Sequence, residues 1–201
     1  MEAQILNKAR DLFFSYGLKS VSMDDLAKEA GVSKKTIYQL VADKAELVTK
    51  VAAHLMESHK EEMEHCFATA QNAVEEVALQ TDLSFAPLAS IRYSFFYDME
   101  KFFPQAWQLM VHGRQQNLLP NITRNLKRGI QEGVYRPDLD LEITPLIRLQ
   151  QLQSALEPGA FPDLQNNQQL LLQRLTRFYL HGITSANGSE LIKKYLTENK
   201  L

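Results

Sequence analysis

The sequence predicts an all-α protein, on three observations. Apolar residues recur at i, i+3, i+4 and i+7 through almost every segment, which is the helical period. Strand signals are nearly absent: there is no Asn-Gly hairpin turn and no sustained alternation of β-branched residues. The periodic stretches are also punctuated by Ser, Asp, Gly and Pro at positions that start and stop helices.

Taken in order, Ile5, Leu6, Ala9, Leu12, Phe13 and Tyr16 share one face of a first helix, and Gly17 stops it. Ser22 caps a second helix, with Asp25 as its capping-box partner and Val21 and Leu26 spaced as a hydrophobic staple. Gly31 ends that helix. Ser33 caps a third, which runs to about Leu40, and Asp43 caps a long fourth. Further breaks are expected at Leu83–Pro87, at Pro104, in "EGVYRPDLD" and in the loop at 156–164, and Asn187-Gly188 is expected to end the penultimate helix. The total is nine or ten helices, with no internal repeat and no low-complexity linker.

The bulk composition sets limits. The chain has 201 residues, 45% of them apolar, which is enough for one large domain or two small ones with a sizeable core. No apolar run is long enough to span a bilayer, and the N-terminus reads as an amphipathic helix, not a signal peptide. A single cysteine, Cys66, fits a reducing compartment, so a cytoplasmic location is expected. The net charge is −2, which does not by itself advertise nucleic-acid binding; residues 1–50 carry eight Lys/Arg against seven Asp/Glu.

The chemistry concentrates in "GVSKKTIY", residues 31–38. Two short helices joined by a turn at Gly31 form a helix-turn-helix candidate. Leu26, Ala27, Ala30 and Val32 face inward, as do Ile37, Leu40 and Val41 on the third helix. Its other side carries Lys35 and Gln39, with Lys34 and Tyr38 along one edge and Thr36 along the other. These donor-rich side chains suit phosphates and base edges. The helix N-terminus adds free amides, and Lys44 brings a further cation to the same end.

"VSMDDLAKEAGVSKKTIYQLVADKAELV", residues 21–48, resembles the DNA-binding segment of the tetracycline-repressor (TetR) family, and "ILNKARDLFFSYGLKSVSM" resembles that family's lead-in helix. The resemblance is close over roughly the first 50 residues. It implies a helix-turn-helix domain at 1–46 and a helical effector-binding and dimerisation domain at 47–201. It implies that Ser22, Ser33 and Thr36 serve the phosphate contacts, that Tyr38 lies along the backbone and that Lys44 clamps a phosphate. Base readout would fall to Lys34, Lys35 and Gln39. The family usually has His or Tyr and then Phe where this chain has Leu40 and Val41, and the basic arm often found before the first helix is absent. The implied function is a ligand-responsive DNA-binding regulator, a repressor, acting as a homodimer on a near-palindromic operator and released by a small, largely apolar effector. The alternative is a helical carrier or enzyme that retains an unused helix-turn-helix.

Two other groups of residues follow from that resemblance. Tyr93, Phe96, Tyr97, Phe103, Trp107, Met110 and His112 are the candidate wall of an effector pocket, although such a stripe also serves as ordinary core. Leu146, Leu149, Leu152 and Leu156 on one helix, with Leu171, Leu175, Phe178 and Gly182 on another, are the candidate dimer interface. No metal, cofactor or catalytic set is expected. His-Glu-x-x-His, paired cysteines and a Gly-rich phosphate loop are all missing, and the Glu61/His65 pair reads as a solvated helix face.

Overall fold

Backbone hydrogen bonds are satisfied almost wholly within helices, as the periodicity requires. The computed structural model describes residues 1–85, 93–156, 161 and 168–196. Among these, the helices are α1 (Glu2–Tyr16), α2 (Met23–Ala30), α3 (Lys34–Tyr38), α4 (Lys44–Thr69), α5 (Ala73–Leu79), α6 (Tyr93–Phe102), α7 (Pro104–Gly113), α8 (Leu119–Gln131), α9 (Ile143–Leu156), α10 (Gln168–Ile183) and α11 (Ala186–Tyr195). Two π-helical turns, Gln80–Phe85 and Arg114–Leu118, extend α5 and precede α8. The one β-type pairing among the described residues is an isolated bridge between Tyr135 and Thr184.

The chain divides into two units. The first comprises Met1–Ser58 with Ile91–Arg114. Its core joins Ile5, Ala9 and Phe13 of α1 to Leu26 of α2, Ile37 of α3 and Val48 and Ala52 of α4, all at or near zero exposure. Phe95 and Met99 of α6 and Met110 of α7 are equally buried. The Phe14 and Phe95 rings meet edge-on at 5.0 Å, a geometry that contributes about 1 kcal/mol beyond area burial. This unit takes in the aromatic segment that follows residue 90 as well as the N-terminal helices.

The second unit comprises His59–Ser90 and Gln115–Leu201. Its core is built on Leu126 of α8, Leu152 of α9 and Leu172 and Leu180 of α10. The expected break in "EGVYRPDLD" is present: α8 ends at Gln131, Gly133 turns the chain at φ 71°, and Asp140 Oδ1 accepts from the Ile143 amide at 3.0 Å to start α9. Asn187-Gly188 behaves differently from the expectation. It lies inside the first turn of α11, because Ser185 accepts from the Gly188 amide at 3.2 Å and caps that helix. Gly188 is required there by packing: the Val134 carbonyl occupies the place of a β-carbon. Residues 86 and 87 of the Leu83–Pro87 break, and the loop at 156–164 apart from residues 156 and 161, lie outside the described residues.

Polar groups in this unit are paired across the chain. The Glu76 carboxylate, fully buried, accepts from Arg128 Nη1 at 3.1 Å and from Gln80 Nε2 at 3.3 Å. Burial still raises its pKa, with Asn125 and Arg128 opposing that shift. Arg128 also donates to Glu132 and to the Phe67 and Ala70 carbonyls. Tyr135, whose ring lies against Gly129, places its hydroxyl 2.9 Å from the Ala73 carbonyl.

Candidate nucleic-acid interface

The reading segment is set by three caps. Ser22 and Asp25 form a complete capping box: the Asp25 amide donates to Ser22 Oγ at 3.1 Å, and the Ser22 amide donates to Asp25 Oδ2 at 2.8 Å. The Ser22 hydroxyl also gives its own proton to Asp25, at 2.6 Å. These hydrogen bonds hold the Asp25 carboxyl below the usual carboxylate range. Ser22 is therefore committed to the cap and has no proton left to offer a phosphate while the cap is intact.

Gly31 ends α2 in the left-handed region at φ 66° and ψ 29°, where a β-carbon would be strained. The Gly31 amide donates to the Lys28 carbonyl and the Val32 amide to the Ala27 carbonyl, the two bonds of a Schellman stop. Ser33 then caps α3, accepting from the Thr36 amide at 3.0 Å. Its hydroxyl and that of Thr36 lie 2.8 Å apart. Two hydroxyl protons serve this pair and one closes the bond between them, so one stays available to an outside acceptor. The third cap is Asp43, which accepts from the Glu46 amide at 2.8 Å and starts α4.

α3 ends at Tyr38, earlier than the sequence indicates, and Gln39 and Leu40 form a turn. Ile37 and Val41 anchor this segment in the core, and Leu40 is half-buried. On the opposite side Lys35, Tyr38 and Gln39 are exposed and no side-chain hydrogen bond engages them. Lys34 is exposed too, but its ammonium lies 2.9 Å from Asp24, which raises its pKa. Lys44 is half-buried at the start of α4 and donates to the Lys19 carbonyl at 3.4 Å. Burial lowers its pKa, against the pull of Asp25 and Asp98.

Two contributors were not read from the sequence. Asp24 is one: it competes with any phosphate for Lys34. Lys50 is the other: its ammonium donates 2.8 Å to the Leu40 carbonyl and lies 3.2 Å from Glu2. It closes the end of the reading segment where Leu40 and Val41 replace the family's larger residues. A cation ten residues downstream of a helix end gives no local signal, because only the α1–α4 packing brings it back.

The other candidate residues differ in exposure. Phe96 and Met110 are buried in the core of the first unit, Phe103 and Trp107 are half-buried, and Tyr97 and His112 are exposed. Trp107 and His112 share an open surface depression along α7, and the side chain of Tyr93 lies outside the described residues. Of the candidate interface, Leu149, Leu152 and Leu171 are taken up by the second unit's own core, and Leu175 packs against it. Leu146, Phe178 and Gly182 are exposed, and so are Ile143 and Ile147, one turn and one residue away on α9. The side chain of Leu156 lies outside the described residues.

Among the described residues no group of acidic, His or Cys side chains is disposed to hold a metal, and no helix is long and apolar enough to cross a membrane.

Comparison with known proteins agrees with this geometry. Residues 5–51 match the family of bacterial regulatory proteins called the tetR family. An uncharacterised HTH-type transcriptional regulator of Bacillus subtilis, YhgD, is 27% identical over 147 residues, 72% of this chain and 76% of that protein. The HTH-type transcriptional repressor KstR2 of Mycobacterium tuberculosis is 22% identical over 158 residues, 70% of this chain and 72% of that one. The crystal structure of the B. subtilis transcriptional regulator FadR in complex with stearoyl-CoA superposes with a TM-score of 0.66 at 20% identity, over 91% of this chain and all of that one. The tetR-family match covers the capped helix-turn-helix, and the all-helical remainder shares its fold with that solved regulator.

Proposed function

We propose that the chain is a repressor that binds a near-palindromic operator as a homodimer and is released by a small-molecule effector. The observation that carries this reading is the two-sidedness of residues 33–41. Ile37 and Val41 are buried, while Lys35, Tyr38 and Gln39 project from the other side without an internal partner. In this reading Lys35 and Gln39 meet base edges, as bidentate donors suit guanine and adenine. Tyr38, Lys44 and the free hydroxyl proton of the Ser33/Thr36 pair meet phosphates. Lys34 joins them when it leaves Asp24. Residues 1–46 are the reading head, and residues 47–201 bind effector and partner.

The dimer contact is assigned to the exposed apolar side of α9 and α10. Ile143, Leu146 and Ile147 are each about half exposed and Phe178 is 71% exposed, more apolar surface than two neighbouring helices ordinarily leave in water. Nothing lies within 4 Å of the β-carbon position at Gly182, which leaves room for a close approach there. Two such pairs would form a two-fold four-helix bundle. The sense of regulation is taken from KstR2, a repressor, and the existence of an effector from FadR with its stearoyl-CoA. The chain acts in the cytoplasm.

Selection of bound duplexes from a random DNA pool tests the reading directly. An enriched inverted repeat is expected, bound with an affinity that falls steeply with salt as counterions are released, by a protein whose light-scattering mass is that of a dimer. No enriched sequence, or a monomer on the DNA, contradicts it.

A further inference from the structure

The second unit holds a buried cation with no counter-charge among the described residues. Arg148, on α9, is 3% exposed. Its Nη2 donates to the Thr176 hydroxyl at 2.9 Å, and its guanidinium lies 4.6 Å from the centre of the Tyr179 ring. Thr176 is itself 3.2 Å from the Thr81 hydroxyl, whose proton goes to the Val77 carbonyl. Thr176 thus gives its proton to Thr81 and keeps a lone pair for Arg148. Among the described residues no carboxylate joins this set. Glu76, the buried acid of the same unit, is engaged by Arg128 and Gln80. Burial pulls the Arg148 guanidinium down to a pKa of about 10, which still leaves it charged at neutral pH.

Arg148 Nη1 is buried and has no partner. The same holds for Asn121 Nδ2, on α8, whose Oδ1 already accepts from Gln80 at 2.9 Å. Both side chains line one cavity of about 20 Å³, whose other walls include Val77, Phe85, Leu118, Ile122 and Leu152. The groups left over are two donors, one of them cationic, on a wall whose other polar residues are Gln80, Asn125 and Tyr179. Leaving a buried donor unsatisfied is costly, and more so when it is charged. An acceptor with negative charge relieves both, and a carboxylate matches a guanidinium edge better than any other common anion of that size. The Arg148 charge disfavours a cationic ligand here.

We propose that this cavity is an anion-accepting subsite, in which Arg148 and Asn121 take the carboxylate of an amphipathic acid whose apolar body lies against the surrounding aliphatic and aromatic wall. The cavity is only large enough for roughly one water. An acid with any body therefore enters only as the core opens. It binds the opened state better than the closed one, which is the differential affinity that a ligand-driven switch needs. This last step rests on the regulator reading above; the subsite itself does not.

The test is calorimetry on the full chain with hexanoate and 4-phenylbutyrate, each paired with its neutral amide. At least one acid is expected to bind about tenfold or more tightly than its amide, the difference between a charged and a neutral hydrogen-bond partner. Arg148→Met should abolish that preference. It replaces a buried charge with an apolar chain of similar length, a change that proteins tolerate well. Asn121→Asp should abolish it too, by giving the guanidinium an internal carboxylate, and it should raise the melting temperature. Equal binding of acid and amide, no binding by any of the four compounds, or an acid preference that survives in both variants overturns the proposal. A parallel titration of the selected operator separates the two readings. Acid binding that needs Arg148 in a chain that binds no DNA keeps the subsite and removes the regulator; operator binding with no acid preference does the reverse.

Discussion

The polar groups of α2 and α3 and those of α5 and α8 are satisfied in opposite ways. In the first pair the partners are three residues apart: Ser22 with Asp25, Ser33 with Thr36. In the second they are far apart in sequence: Arg128 with Glu76, Tyr135 with the Ala73 carbonyl, Gln80 with Asn121. The groups left unsatisfied differ too. In the reading segment they face solvent, where water serves and, in the proposed reading, a duplex would replace it. Around Arg148 they face a cavity. Local pairing lets the reading segment hold its shape whatever the rest of the chain does. Long-range pairing makes the second unit's polar core depend on its whole packing, which suits a region that is to have two arrangements.

The largest effect should come from breaking the long-range set. Arg128→Met leaves the Glu76 carboxylate buried with only amide partners, and removing one member of a buried ion pair costs about 3–5 kcal/mol. The pH dependence has a definite sign. The folded-state pKa of Glu76 is already raised by burial, so its contribution to stability is fully present below the unfolded value and is lost as pH rises through the folded one. The variant should therefore be most destabilised at pH 7 and recover towards pH 4. Urea unfolding at both values checks this, and a pH-independent loss would mean that the carboxylate is not the group left stranded.

How much of this was legible follows the same division. The caps at Ser22, Ser33 and Asp43, the stops at Gly17 and Gly31 and the buried Ile37 are all set by residues within four positions of one another, and the sequence shows them directly. The aromatic segment is ambiguous in sequence because its composition fits either a pocket or a core, and long-range contacts such as Phe95 on Phe14 have no local signal. Asn187-Gly188 was read as a stop because the pair usually turns a chain. The reason for the glycine, the Val134 carbonyl against it, lies more than fifty residues away. Arg148 gave no signal at all, since nothing in "PLIRLQQ" tells a buried arginine from a solvated one.

Operator binding comes next in size. Lys35→Ala and Gln39→Ala should each lose about 1–3 kcal/mol on the preferred sequence and little on others, since their donors read base edges. Tyr38→Phe and Lys44→Ala should weaken all duplexes alike, and Lys44→Ala should lower the salt slope by about one. Fluorescence anisotropy on the selected operator and on a scrambled duplex, at several salt concentrations, separates the pairs. Uniform weakening by all four variants would remove the division between reading and anchoring. Ser33→Ala should cost about 1 kcal/mol of folding stability through the lost cap, with a further loss of affinity because the free hydroxyl proton goes with it.

The smallest effect sharpens the contrast between what the reading segment needs for folding and what it needs for DNA. Asp24 serves the fold in two weak ways. It sits in the first turn of α2, where a negative charge meets the helix N-terminus, and it pairs with Lys34 on the exposed surface. Both are weak, since solvent screens an exposed ion pair of this kind. Against DNA the same carboxylate works in the wrong direction, because it repels phosphate and holds the Lys34 ammonium away from it. Asp24→Asn should therefore lower the melting temperature slightly and raise operator affinity by severalfold, with a steeper salt dependence as Lys34 gains a phosphate. Stability and affinity moving in opposite directions is the expected signature. If affinity is unchanged while the melting temperature falls, Lys34 does not reach the duplex even when freed, and the phosphate contacts of the segment reduce to Tyr38, Lys44 and the Ser33/Thr36 pair.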